Sequence, residues 1–239
     1  MSSHPLAQRL GMAFLAGLIL APAAEAASLD GIWKISAPQI SFVPEGGSIP
    51  FTTQGMEAYE KNKAALARGD YGEYDHVKSR CGSPGLPRVM LTSERFELFL
   101  RPHMILMAFE WNRVRRVIIL PGLPTQTEDL VGAAAKLVGT AMGTSEGHWE
   151  GDTLVVASHN FSQNTLIDEL VPHGYDLKIT EHIRLKTSQT LEDRITVDDP
   201  DIFTRPWTTI VTYRRQPSAI ISDDVCLDHL RGPPPLATR

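Results

Sequence analysis

Past residue 26 the chain has no stretch of about 18 uninterrupted apolar residues, so no helical membrane span is expected beyond the N-terminus. No basic cluster is present either. The formal net charge is −5 and its charges are dispersed, which argues against a nucleic-acid partner. Tight metal-ligand spacing is also missing. Of eight His, His103, His148, His159, His173 and His182 among them, none forms His-x-His or His-Glu-x-x-His. There is no glycine-rich phosphate loop and no dinucleotide fingerprint. A serine triad and a metal site are not expected, and no cofactor is implied.

Cysteine is scarce. Cys81 and Cys226 are the only two, and neither stands at a lipobox position. In an oxidising compartment such a pair usually closes a disulfide, here between an early Pro/Gly-rich loop and the C-terminal region. Closing a loop of that size contributes on the order of 4–5 kcal/mol in the chain-entropy model. The other reading is a reactive thiol, but neither Cys has a neighbouring His or a helix N-terminus to lower its pKa. The compartment follows from residues 1–26. Arg9 gives a positive start, Gly11 to Leu20 a short apolar core, and Ala24-Glu25-Ala26 a small-x-small cleavage site. That is a secretory signal peptide, so a periplasmic or secreted protein is expected, with no membrane insertion after cleavage.

The remaining residues suit one β-rich domain, 27–226, followed by a loose tail at 227–239. Asp30 to Ile35 reads as a first strand. Thr52 to Arg68 has helical composition and stops at Gly69-Asp70. Residues 70–93 read as irregular. Strands are expected at Phe96–Leu100, His103–Trp111, Arg115–Leu120, Leu154–Ser158, Leu177–Leu185, Thr190–Val197 and Trp207–Tyr213. Tight turns fall at Asn112-Arg113 and Thr187-Ser188-Gln189, and Trp149-Glu150-Gly151-Asp152 reads as a hairpin turn. Glu128–Ala141 has helical spacing. The expected fold is mainly β, a single antiparallel barrel of about eight strands with two accessory helices. Closure removes exposed edges, and such a barrel can hold one small ligand.

Several pieces resemble a family of uncharacterised secreted bacterial proteins with a lipocalin-like β-barrel. They are Cys-Gly-Ser-Pro-Gly-Leu-Pro-Arg (81–88), Arg115-Arg116 with Val117-Ile118, Gly-His-Trp-Glu-Gly-Asp-Thr-Leu-Val-Val (147–156), Pro172-His173, Thr180-Glu181, and Asp-Pro…Thr-Arg-Pro-Trp-Thr (199–208). Gly31-x-Trp33 is similar to the opening strand of lipocalins. The resemblance implies the barrel and the compartment, while the family's activities are mostly unassigned. The chain departs from the pattern at Lys178, where the family usually has His, and at Ala157, where it has Asp. Residues 121–146 are longer and more helical than in the family.

One strand singles out a candidate. In 177–185, Leu177, Ile179, Ile183 and Leu185 share a face, and Glu181 interrupts it. A carboxylate there must be paired, protonated or at a cavity. Arg116 interrupts the stripe of Val114, Ile118 and Leu120 in the same way, so a bidentate pair with Glu181 is one reading and an anchor for a carboxylate- or phenol-bearing ligand another. Asp193 among Leu191, Ile195 and Val197, and Tyr213 after Val211, repeat the pattern. A mostly apolar pocket with a few polar points would look like this. Asp168 and His173 lie in the loop before the Glu181 strand. His173 is either a surface residue or an acid/base group at the pocket mouth. Tyr175 could donate to a phenolate or enolate, and Arg88 could hold an anion or tie its loop.

Three functions follow. The first is a cofactor-free lyase, decarboxylase or isomerase acting on a small apolar molecule, aromatic or terpenoid. Glu181 or His173 would move the proton, Tyr175 would stabilise charge, and Arg116 or Arg88 would anchor the substrate beside Asp168, Asp193 and Tyr213. The second is a non-catalytic lipocalin-like binding protein. The third is a structural domain whose inward charges pair.

Overall fold

The computed structural model describes residues 28–122 and 139–226. The leader at 1–26, the tail at 227–239 and most of the expected helix at 128–141 fall outside them. Its last three residues, 139–141, are not helical, and Thr140 bridges to Phe161. Nine strands close into one barrel: β1 (Gly31–Ile35), β2 (Arg95–Arg101), β3 (Met104–Phe109), β4 (Arg115–Ile119), β5 (Thr144–Glu150), β6 (Thr153–His159), β7 (Lys178–Thr187), β8 (Thr190–Asp198) and β9 (Trp207–Arg215). Closure is made by β1, which pairs with β2 on one side and β9 on the other.

Two details differ from the sequence expectation. The turn at Trp149–Asp152 is only Gly151-Asp152, with Gly151 at φ +63°, and the residues before it make the full strand β5. All neighbours are antiparallel except β4 and β5, which run parallel through Ile118–Ser145 and Ile119–Glu146. A parallel pair needs a connection that returns the chain to the end where it began, and the long 120–143 segment supplies that length.

Alternation then decides what fills the barrel. On β7, Ile179, Glu181 and Ile183 are buried, while Lys178 and Arg184 are exposed. Trp33, Leu98, Ile105, Met107, Leu154, Ile195 and Tyr213 arrive from six strands and are at most 1% exposed. Phe96 packs edge-on against Tyr213 at 5.0 Å between ring centres. The lumen is therefore a packed side-chain core, as barrels of this size allow.

The two ends differ. One has tight turns at 102–103, 151–152 and 188–189. The other carries the long connections 36–94, 160–177 and 199–206, which cap it. Within the cap, α1 (Thr53–Arg68) forms where the sequence places it. The Thr52 side chain accepts from the Gly55 amide, and Gly69 ends it in the left-handed region at φ +78°, donating to Ala65 and Leu66 carbonyls. A second helix, α2 (His76–Arg80), forms inside the stretch expected to be irregular, because the Asp75 carboxylate accepts from the Val77 and Lys78 amides. Asn62 of α1 donates to the Leu170 carbonyl, holding the helix on the 160–177 loop. The disulfide Cys81–Cys226 forms, with Cα atoms 5.7 Å apart, and ties this cap to the chain after β9. No described helix is long and apolar enough to cross a membrane.

Candidate functional site

The Glu181 misfit has a partner. Arg116 enters the lumen from β4 and lies across the inner faces of β5 and β6 before reaching Glu181 on β7. Small residues make this path possible. Ser145 and Ser158 face each other in the β5–β6 register, where larger side chains would block a guanidinium. Each of the five Arg116 N–H groups finds an acceptor. Nε donates to Ser145 Oγ at 3.1 Å. Nη1 donates to Glu181 Oε1 at 2.8 Å and to Met107 Sδ at 3.6 Å. Nη2 donates to Ser158 Oγ at 3.0 Å and to Glu181 Oε2. Arg116 is 2% exposed and Glu181 0%. Removing one member of such a pair strands a buried charge and costs about 3–5 kcal/mol.

Gly143-Thr144-Ser145-Glu146-Gly147 does spell the Gly-x-Ser-x-Gly of a nucleophile elbow, a match that the expectation of no serine triad overlooked. The structure removes it as a nucleophile. Ser145 lies within β5, 3% exposed, bonded to Arg116 and 2.8 Å from Ser158 Oγ rather than to a His.

Asp193 and Tyr213 also face inward, as their stripes imply. Asp193 pairs with Ile183 across the sheet, one diagonal step from Glu181. It is fully buried and neither carboxyl oxygen has a hydrogen-bond partner. Burial, then the Glu181 charge, push its pKa well above the ordinary carboxylate value, against the pull of Arg116. The Tyr213 hydroxyl donates to the Met90 carbonyl at 2.9 Å, fastening the cap to the barrel wall. Burial raises its pKa first, helped by Asp193 and Glu181.

His173 and Asp168 sit in the cap, apart from this cluster. His173 is 8% exposed, so the surface reading does not hold. Its Nδ1 donates to the Gly174 carbonyl at 2.8 Å, and its Nε2 lies 2.9 Å from the Thr165 hydroxyl, which also reaches the Ser162 carbonyl at 3.0 Å. Burial lowers its pKa, while Gly174 and Asp199 pull it back up. Asp168 holds the loop by accepting from the Leu170, Val171 and Phe42 amides. Burial pushes its pKa up against those bonds. Tyr175 does not join either group: it is 80% exposed and lines a separate cleft with His159 and Lys178. Glu181, His173 and Tyr175 therefore occupy three different environments.

Arg88 leads to a site the sequence did not reveal. Its guanidinium forks onto Asp75 with two bonds of 2.9 Å. Both line or back a cleft of about 590 Å³ at the capped end. Pro38, Ile40, Val77, Pro84, Leu91 and Trp111 make its apolar wall. Lys78, Arg88, Glu94 and Glu169 supply charge, with Lys78 bonded to Glu169. The hydroxyl of Tyr74 is buried and unpartnered, within electrostatic reach of Asp75, Glu169 and Arg88. Burial, then Asp75 and Glu169, push its pKa up to about 12. The one sequence signal was Arg88 at the end of its constrained loop. Everything else is assembled from distant loops. No group of three or more metal-ligating side chains occurs among the described residues.

A scan against known protein families finds no match to this chain, and a search of curated proteins finds none either.

Proposed function

We propose that this protein is an exported, non-catalytic small-molecule binding protein of lipocalin-like architecture, with its ligand held in the Arg88–Trp111 cleft at the capped end of the barrel. The observation that carries this reading is the cleft itself. Its volume of about 590 Å³ falls in the range of ligand pockets, and its lining combines an apolar wall with a few fixed charges. Neither Glu181, His173 nor Tyr175 lines it. The acid/base groups that favoured an enzyme are instead enclosed, Glu181 by Arg116 and His173 by Thr165 and Gly174. The Cys81–Cys226 disulfide and the leader sequence support export.

The test is native mass spectrometry of the protein purified from its own cells, followed by thermal melts with the ligand so found. At a hundredfold excess over Kd a bound ligand stabilises by about 2.7 kcal/mol, a shift of roughly 5–10 °C for a chain of this size. Trp111→Ala should abolish the shift. A ligand that is converted to product, with turnover lost in Glu181→Gln or His173→Gln variants that stay folded, would overturn the binding reading in favour of a cofactor-free lyase or isomerase.

A further inference from the structure

We infer that the ligand of this cleft carries a cationic amine on an apolar body, the amine being received between the Glu94 carboxylate and the Trp111 indole. This inference rests on the cleft being the binding site, and it names the ligand class. Most charges at the cleft are already engaged. Arg88 is committed to Asp75 through both terminal nitrogens. Lys78 is bonded to Glu169 and lies 5.0 Å over the Tyr71 ring. An anionic ligand would have to break one of these partly or fully buried pairs before it found a cation. Glu94 is different. Its carboxylate accepts from its neighbour Ser93 Oγ at 2.8 Å and has no cation partner among the described residues. The nearby arginines are taken: Arg95 by Glu110, and Arg113 by Asp223. With Asp75 behind it, the cleft holds one more negative than positive charge.

The register supplies the second half. Phe96 pairs with Phe109 in the β2–β3 ladder, and the Glu110 amide donates to the Arg95 carbonyl one step further. Glu94 and Trp111 each lie one residue past that last bond, and both line the cleft. A carboxylate beside a half-buried indole is a receptor for an ammonium group, since the ring face attracts cations and Trp does so most strongly. The apolar wall of Ile40, Leu91 and Pro84 then takes the ligand's body.

The experiment is calorimetric titration of the intact protein with three probes sharing one skeleton: 2-phenylethylamine, 2-phenylethanol and 3-phenylpropionate. The amine should bind at least fivefold more tightly than the alcohol, and the acid more weakly than either. Glu94→Gln should bring the amine down to the alcohol and leave the alcohol unchanged. Trp111→Ala should weaken all three. If the acid binds best, or if Glu94→Gln leaves the amine unaffected, the amine inference fails while the cleft stands as a binding site. If none of the three binds up to millimolar concentration, the cleft is not the ligand site, and the proposed function falls with it.

Discussion

Replacing Asp193 by Asn should shift stability increasingly in favour of the variant as pH rises. Asp193 is wholly buried, with no hydrogen-bond partner for either oxygen and a carboxylate as its diagonal neighbour. Burial, then the Glu181 charge, raise its pKa well above the ordinary value of 3.8. In the folded state the group therefore keeps its proton in a range where the unfolded chain has lost it. The unfolded state binds fewer protons there, so stability falls with rising pH, by about 1.4 kcal/mol per pH unit, from the ordinary value up to the shifted one. At pH 7 the accumulated cost has an upper bound of about 4 kcal/mol. Asn has the same shape and does not titrate, so it removes this slope. Against that, its amide group brings donors that cost about 1–3 kcal/mol if they stay unpaired. The net expectation is a difference that moves in favour of Asn as pH rises from 5, by at most about 1.4 kcal/mol per pH unit. Urea unfolding of both proteins at pH 5, 6, 7 and 8, followed by circular dichroism, measures the difference directly. Other titrating groups are common to both chains and cancel. A stability difference that is flat with pH, or that moves against Asn as pH rises, refutes the reasoning.

Glu181→Gln should lose about 3–5 kcal/mol, because Arg116 keeps its charge and loses its counter-charge; Arg116→Met with Glu181→Met should recover most of it, as urea midpoints will show. Recovery by the double variant would show that apolar packing can replace the pair, whereas a loss equal to or larger than that of Glu181→Gln would refute this. Reducing Cys81–Cys226, which are separated by 145 positions, should cost on the order of 4–5 kcal/mol and lower the melting temperature by roughly 10–20 °C. For His173 the folded pKa is depressed by burial. Its contribution is therefore complete above the ordinary value of 6.5 and is lost as pH falls below it. His173→Gln should show a shallower fall in stability between pH 6.5 and 5 than the parent chain, measured by the same melts.

The barrel was legible because strands write their inner face at every second position. Glu181, Arg116, Asp193 and Tyr213 were each visible as an interruption of an apolar stripe, and all four face the lumen. Even the Glu181–Arg116 pairing could be anticipated, since two opposite charges in one packed lumen have few other partners. What periodicity cannot carry is the parallel β4–β5 junction. It depends on how the 120–143 connection returns, and alternation is the same in parallel and antiparallel strands. The cleft was illegible for a related reason. Its residues come from positions 38–40, 77–94, 111 and 169, and loop residues have no period to betray their direction. Arg88 could be singled out from its constrained loop, but nothing in the sequence joins it to Asp75 or sets Glu94 against Trp111.

The polar residues most conspicuous in the sequence are thus the ones the fold consumes. Five acceptors saturate Arg116, and two of them are the serines whose small size opens its path. An isolated catalytic carboxylate has no use for that complete set, whereas a charge that must remain buried requires it. Ligand recognition has the opposite need: a charge left over after the fold has satisfied its own, and a surface that can still be reached. At the capped end Arg88, Lys78, Arg95 and Arg113 are each neutralised by a partner, and Glu94 beside Trp111 is not. Interrupted stripes mark the interior lock. Unspent charge beside accessible apolar surface marks the cleft.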